Sequence, residues 1–415
     1  MKVAYYSPLP PDRSGIADYS ALLLPELERL VEVNVARPRL SLPKRADVAL
    51  YHVGNDPWAH GWIVEALRRR PGLVVLHDFV VHHLVAGMTL GRGDGEGYLG
   101  AMEREEGPVG RMLAHGVIDG LVSPLWETAP ERFPLVREIL NLASGVVVHS
   151  RYVERRVDEY GFLRPVWRIP HPAFEPPPRL TPDPELSGRP FVVGCFGNVT
   201  PSKRIPQLVA AFDRVRRKVP GSLLVLAGPV APRFELAPMF EGLGLELGRD
   251  VIQLDYVDEN RLWSLIAGSD VCVNLRWPTM GETSGAAIRA LGVGRPLIVS
   301  DVGWFGELPD DVVAKVPPDA REVDLLAALL ERLASDEAMR KALGAAARDY
   351  VAMEHDLRRV AKLYVAALEE TAGGWFVREA LLREVAVAAA DVQLDASDPE
   401  LSQVAEAIRE TGVVK

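Results

Sequence analysis

The stretch "VVGCFGNVTPSKRIPQLVAAF" runs from Val192 to Phe212, and its reading decides the fold. Val192 to Phe196 form an unbroken apolar run, as expected of a strand buried on both faces. Ile205, Leu208, Val209, Phe212 and Val215 then recur at helical spacing, and Pro206 suits a first turn, where its missing N–H costs nothing. Between strand and helix stand Gly197, Asn198, small polar residues, Lys203 and Arg204, more chain than a tight reversal needs. The first amides of a helix lack intrahelical acceptors and lie at the positive end of its dipole. Gly197, Asn198, Lys203 and Arg204 therefore read as a cradle for a phosphate or diphosphate. The plain alternative is a solvated loop with incidental cations.

The same rhythm extends in both directions. Upstream, "KVAYYSP", "VEVNVA", "DVALYHVG", "GLVVLHD" and "SGVVVHS" predict strands. Ile16, Tyr19, Leu23, Leu27 and Leu30 predict a helix between the first two, and Trp62, Ala66 and Leu67 another. Downstream, "SLLVLAG", "VIQLDYV", "VCVNLRW" and "PLIVSDVG" continue the strands, and from about Val323 the pattern is helical only. Apolar strands alternating with amphipathic helices mean parallel sheets covered on both faces. The segment 171–190 holds seven prolines in twenty residues, which forbids a central strand or long helix and reads as a linker. The expected organisation is an α/β protein of two doubly wound, Rossmann-like domains, 1–170 and 191–355, facing a cleft. Helices over 356–415 would follow, partly crossing back to the first domain. Such sheets bind ligands beyond the carboxyl ends of their strands.

Bulk composition narrows the function. The 415 residues are 48% hydrophobic and carry a formal charge of −10, which opposes general nucleic-acid binding and offers no broad field for anionic membranes. Two cysteines, Cys195 and Cys272, lie in apolar runs and read as buried, reduced thiols of a cytosolic protein. The N-terminus reads as a strand rather than a signal peptide, and no run reaches the ~18–20 apolar residues of a spanning helix. Cytoplasmic location is expected, with docking at the inner face of a membrane left open.

A second stretch, Val273 to Asp311, repeats the first motif's logic. A strand ending near Arg276 leads into Pro278, Gly281, Glu282, Thr283, Ser284 and Gly285, and a helix follows from about Ala286. Gly294-Arg295-Pro296 stops that helix and starts the next strand. In the first half, Ser14 and Gly15 follow the first strand, with a plain helix cap as the simpler role for Ser14. Asn55 and His60 lie past another strand end, and His77-Asp78 past the next, where a His-Asp pair suits proton transfer or substrate binding. His82 and His83 read as structural. "GRGDGEGYLG" formally contains Gly95-x-Gly97-x-x-Gly100 but follows no clear strand, so it reads as a flexible loop. "HGVIDG", 115–120, reads as a helix end. No histidine spacing suggests a metal site, no Asp-x-Asp occurs, and Walker and GxSxG motifs are absent.

The two downstream stretches resemble the carboxyl-terminal domain of family-four retaining glycosyltransferases of the GT-B fold. That family's pattern is G-R-L-x-x-x-K-G, then P-S-x-x-E-G-F-G-x-x-x-x-E-A-x-x-x-G-x-P-V-V. Gly197 matches the first glycine and Lys203 the lysine, which the family uses on the nucleotide diphosphate. Pro278, Glu282 and Gly285 match the start of the second motif and Gly294-Arg295-Pro296 its end. By this resemblance Glu282 faces the donor sugar, and the amides of Thr283, Ser284 and Gly285 face the diphosphate. The amino-terminal half resembles a bacterial subgroup that makes surface polysaccharides, in which the Ser14-Gly15 loop faces diphosphate and acceptor. Two departures stand out. Asn198 replaces the family's arginine, leaving Arg276 or Arg204 to supply that charge, and Arg289 replaces the second glutamate, which usually holds the ribose.

The resemblance implies a metal-independent, retaining hexosyltransferase without cofactor, taking a nucleoside-diphosphate sugar as donor and a glycan or lipid-linked acceptor. His77, Asp78 and Glu282 are the expected catalytic residues. The donor is expected on Gly15, Gly197, Asn198, Lys203, Arg204, Arg276, Thr283, Ser284 and Gly285, and the acceptor on Ser14, Asn55 and His60. A nucleotide-sugar epimerase, a phosphorylase or an inactive sugar-nucleotide-binding subunit would share the fold. Donor base, linkage and oligomeric state have no sequence signal.

Overall fold

The computed structural model describes residues 1–12, 14–38, 46–373, 375–392, 394 and 398–410. The chain forms two compact units: Met1–Ile169 with Val360–Lys415, and Pro170–Arg359.

The first unit is built on six parallel strands: β1 (Lys2–Tyr6), β2 (Glu32–Val35), β3 (Val48–Val53), β4 (Gly72–Leu76), β5 (Ala143–Val148) and β6 (Val166–Arg168). Their order is β2-β1-β3-β4-β5-β6, with Val3 opposite both Val33 and Val48. The chain leaves β1 toward one edge and returns to β3 on its other side, so a topological switch point lies between β1 and β3. β3 and β4 are buried at every position, which explains their unbroken hydrophobicity. Helix Gly15–Glu28 buries Tyr19, Leu23 and Leu27, whereas Leu30, read on the same face, lies beyond the helix end and is exposed. Helix Leu357–Ala372 buries Val360, Ala361, Tyr364, Ala367 and Leu368, and the Tyr364 hydroxyl lies 2.6 Å from that of Tyr19. Helices Trp375–Asp391 and Pro399–Glu410 follow, and 411–415 lie outside the described residues.

The glycine-rich 95–100 segment departs from its reading as a loop. It opens a helical stretch, Gly95–Ile118, that breaks at Gly107 (φ 65°) before Pro108, because Asp94 accepts from the Gly97 amide and Tyr98, Leu99 and Met102 are buried against the unit's core. Apolar anchoring on one face overrides the low helix propensity of three glycines. Asp119 and Gly120 end this helix, Gly120 at φ 72°.

The second unit also has six parallel strands: β7 (Val192–Phe196), β8 (Leu223–Ala227), β9 (Val251–Leu254), β10 (Val271–Asn274), β11 (Leu297–Ser300) and β12 (Ala314–Val316). The order β12-β11-β10-β7-β8-β9 puts a switch point between β7 and β10. Alternate residues of β7 feed two cores. Val193 and Cys195 join Ile205, Leu208, Phe212 and Val215 on one face, and Val192 and Phe196 join Ile288, Leu291, Trp304 and Phe305 on the other. Cys195 and Cys272 are buried free thiols; burial pushes Cys195 up and Cys272 up to about 12. The proline-rich 171–190 segment, read as a linker, is docked on this unit. The Ala173 amide donates to His355 O at 2.8 Å, the Asp183 amide to Ser264 O at 3.0 Å, and Phe174 and Leu186 are buried. No described helix is long and apolar enough to cross a membrane.

The turn after β7 approaches the turn after β8 so closely that side chains are excluded. Gly197 has φ 86° and Gly228 φ 147°, and a Cβ on Gly228 would stand 2.5 Å from both the carbonyl carbon and oxygen of Gly197. Gly228→Ala is expected to destabilise the second unit by more than ~2 kcal/mol in chemical denaturation. Gly15→Ala, whose Cβ would meet open space, is the control and should shift the midpoint far less.

Candidate functional site

In the second unit, the residues after β7 and β10 flank the switch point. Trp277 N donates to Ser202 O at 2.7 Å, tying the two loops together. Lys203, at the end of a single 3-10 turn, is buried, and its Nζ donates to Phe196 O at 2.7 Å. Burial pulls this ammonium from its usual 10.5 down to about 8; Arg276 pushes the same way, while Cys195 and Glu282 oppose it. A buried ammonium with one carbonyl partner is a cation short of an anion.

The loop after β10 is organised around a carboxylate. Glu282 Oε1 lies 2.5 Å from Arg276 Nε, and Oε2 accepts from Met280 N at 2.7 Å and Thr279 Oγ1 at 3.1 Å. Gly281, at φ 84°, and the cis Trp277–Pro278 bond shape the turn. The helix begins at Gly285, one residue earlier than the sequence suggested, with Ser284 as cap: its Oγ accepts from Ala287 N at 3.2 Å and from Asn274 Nδ2 at 2.9 Å. That cap satisfies one first-turn amide and leaves those of Gly285 and Ala286 to an external acceptor. Asn274 Oδ1 and Thr283 Oγ1 are buried without a partner among the described residues. Unsatisfied buried polar atoms beside free helix amides are what a polar ligand would complete.

Arg204 does not join this cluster. It caps helix Ile205–Lys218 in the left-handed conformation, φ 57°, and its guanidinium grips the Glu322 carboxylate through Nε at 2.9 and 3.2 Å and through Nη2. Glu322 is 1% exposed, so this pair is structural, and Arg276 remains as the second cation of the site. Asn198 is exposed in the loop. Arg289 is buried, with its guanidinium 3.4 Å above the Phe174 ring and 3.1 Å from Glu259.

In the first unit, Ser14 is the cap of its helix, accepting from Ala17 N at 3.0 Å, and Gly15 is the first helical residue. Asp78 Oδ2 accepts from Asn55 N at 2.9 Å, and Asn55 Oδ1 accepts from Leu84 N at 3.2 Å. His60 is buried, with Nδ1 donating to His52 O at 3.1 Å, and burial lowers its pKa to about 4. His77 packs edge-on to Tyr19 at 4.7 Å between centroids and lies 5.2 Å from both His52 and His149. His82 is a structural group bonded to Phe133 O and Tyr98 Oη, while His83 bridges Asn55 and Glu127.

His52 and His149 escaped the sequence reading. With His77 they stand at the carboxyl ends of three adjacent strands, β3, β4 and β5. The signal was present as three apolar runs each with a histidine at or just past the strand end: "LYHV", "VLHD" and "VVHS". Among the described residues, no group of three or more histidine, cysteine, aspartate or glutamate side chains is arranged to hold a metal ion.

Removing Arg204 should strand a buried carboxylate. Arg204→Ala is expected to cost ~3–5 kcal/mol in urea unfolding, and Arg204→Met with Glu322→Leu should recover most of that loss. A small cost for the single variant would return Arg204 to the list of ligand-binding cations.

Residues 179–350 match the family model described as glycosyl transferases group 1. A GDP-mannose-dependent alpha-(1-6)-phosphatidylinositol monomannoside mannosyltransferase of Mycolicibacterium smegmatis is 25% identical over 367 residues, covering 82% of this chain and 91% of the relative. A glycogen synthase of Mycobacterium tuberculosis is 27% identical over 176 residues, 41% of each chain. Among solved structures, sucrose-phosphate synthase of Thermosynechococcus elongatus superposes with a TM-score of 0.63 at 17% identity, covering 89% of this chain and 98% of that one. HepE of Anabaena, solved with UDP and glucose, gives 0.56 at 16% identity, covering 89% and 100%. Residues 179–350 thus carry the group 1 glycosyl transferase domain, and the chain is a glycosyltransferase of the GT-B fold.

Proposed function

We propose that this protein transfers a hexosyl group, with retention and without a metal ion, from a nucleoside-diphosphate sugar to a glycan or lipid-linked acceptor. The observation that carries the reading is the buried Lys203 ammonium beside Arg276 and the uncapped amides of Gly285 and Ala286. As the bond from sugar to phosphate stretches, negative charge grows on the departing diphosphate. Fixed cations and helix amides in a site shielded from water stabilise that charge without reorganising. Retention rests on the family resemblance, with the acceptor attacking from the leaving-group face.

Glu282 is assigned to the donor sugar, and its bonds to Arg276 and the loop hold it in place. Lys203, Arg276, Gly197 and the amides of Thr283, Ser284 and Gly285 are assigned to the diphosphate. In the first unit Gly15 is assigned to the donor and Ser14 and Asn55 to the acceptor side, with His77 and Asp78 as the polar groups of the reaction. His60, buried and bonded to a backbone carbonyl, is assigned to holding that loop. The mannosyltransferase relative makes GDP-mannose the first donor to test, with a lipid-linked mannoside as acceptor, and HepE makes UDP-glucose the second. A second reading, a donor-binding protein without turnover, is favoured by Asn198 and by Arg289, whose charge is engaged with Glu259 and Phe174.

With the donor that is consumed, Lys203→Ala is expected to lower kcat/KM ~10–150-fold, the worth of one charge-assisted hydrogen bond of ~1.5–3 kcal/mol. Glu282→Ala should remove most activity while the protein stays folded by circular dichroism. Wild-type rates in both variants would end the assignment, and binding of donor without diphosphate release would favour the second reading.

The pH dependence follows from the lysine. Below about 8 the ammonium is charged and kcat/KM should be flat; above it, deprotonation removes the contact and kcat/KM should fall. Lys203→Arg, which cannot deprotonate in this range, should abolish that fall whatever its absolute rate. Excess EDTA should leave turnover unchanged; loss restored by magnesium would overturn metal independence.

A further inference from the structure

Trp58 is 93% exposed, more than any other large apolar side chain among the described residues. Its place in the fold sets it apart from a stray surface residue. It is the second residue of helix Pro57–Arg69, which follows β3, one of the two strands flanking the first unit's switch point. Open parallel sheets receive their ligands at such crevices. The turn that carries the ring is fixed from several sides. Asp56 Oδ1 accepts from the amides of Trp58 at 2.8 Å and Ala59 at 3.3 Å. Pro57 is seated on Gly87, where an added Cβ would come 2.4 Å from Pro57 Cβ. A Cβ on Gly54 would meet Ile16 Cδ1 at 2.4 Å and His60 Nε2 at 3.0 Å, so the backbone before the helix is equally confined. A rigid support therefore holds the indole out in solvent, and a ligand that covers it meets little ordering cost.

The groups beside the ring say what suits it. Asn55 N donates to Asp78 Oδ2 at 2.9 Å, and Asn55 Nδ2 lies 3.3 Å from His83 Nδ1. His83 Nε2 lies 3.1 Å from Glu127 Oε1, on a side chain that is largely exposed. The carboxylates of Asp56, Asp78 and Glu127 accept from hydroxyl groups, and they oppose the approach of anionic lipid headgroups. A pyranose matches both features of this surface. One of its faces presents C–H groups, which meet the electron-rich face of an aromatic ring, and the hydroxyls around its edge donate to carboxylates. We propose that Trp58 is the stacking platform for the terminal pyranose of the acceptor. The first unit then selects a glycan end by its sugar, whatever carries that sugar. This rests on the reading of Asn55 as an acceptor-side group. Trp58 contributes to acceptor binding and takes no part in proton transfer.

The test uses the full chain and three soluble probes, the methyl glycosides of α-mannose, α-glucose and β-galactose. The protein has eight tryptophans, so the emission of Trp58 is taken as the difference between wild type and Trp58→Phe. At least one glycoside is expected to change that difference saturably. With the donor that is consumed, Trp58→Ala should raise KM for the same glycoside as acceptor about tenfold, with kcat and donor KM nearly unchanged. Trp58→Tyr should restore most of the affinity, and Trp58→Leu, apolar without a ring, should not. The proposal is overturned if no glycoside moves the Trp58 emission, or if Trp58→Ala keeps the wild-type acceptor KM. A blue shift of Trp58 on phosphatidylcholine–phosphatidylglycerol vesicles, without any glycoside response, overturns it in favour of a membrane contact. Glycoside binding through Trp58 with no transfer from any donor would leave the platform standing and end the transferase reading. Transfer that is indifferent to residue 58 would do the reverse.

Discussion

A lysine ammonium held inside the protein by one backbone carbonyl is the constraint around which the second unit is arranged. Lys203 gives up hydration for a single bond to Phe196 O, and burial of a charge so poorly compensated is costly. The surrounding backbone makes that position obligatory. β7 ends at Phe196, Gly197 turns the chain with a positive φ, and the 3-10 turn Pro201–Lys203 folds the side chain back under the strand end. Gly228 must be glycine because the neighbouring turn presses against Gly197. Stability is spent at this point, and an anion would restore it.

The two other cations of the region show how the fold separates structure from chemistry. Arg204 and Lys203 are adjacent in sequence, yet Arg204's left-handed backbone sends its side chain to Glu322. That pair closes the unit's interior and has no charge to lend. Arg276 is matched by Glu282, whose carboxylate belongs to the same loop. Two ion pairs of similar geometry thus differ in where their partners come from: one spans 118 residues of the unit, the other stays within a single loop.

Much of this was legible in the sequence, for identifiable reasons. Strands buried on both faces are apolar without interruption, so β3, β4, β7 and β8 announce themselves, and the helix face of Ile205, Leu208, Phe212 and Val215 is unambiguous. The loops after β7 and β10 stood out because glycines and cations at a strand end have no packing role. The failures are tertiary. Glycines at 95, 97 and 100 looked like a loop because propensity is local, whereas burial of Tyr98 and Met102 is not. Arg204 looked like a ligand because its partner lies 118 residues away. His52 and His149 were overlooked because each alone is an ordinary buried histidine; only the parallel register of three strands brings them to His77.

That register also gathers neutral groups at the strand ends of the first unit. His52, His60 and His82 are each held below their usual pKa by burial, and Tyr19 and Tyr364 are each pushed up. A cluster that resists both protonation and deprotonation cannot supply formal charge; it can only supply oriented dipoles. Orientation then depends on which nitrogen of each ring is occupied by the protein: His60 and His149 spend Nδ1 on backbone carbonyls, and His77 spends Nε2 on His52. The contrast follows from solvation: the second unit keeps a charged ammonium at its strand ends, where one carbonyl receives it, and the first gathers buried rings there that burial keeps uncharged.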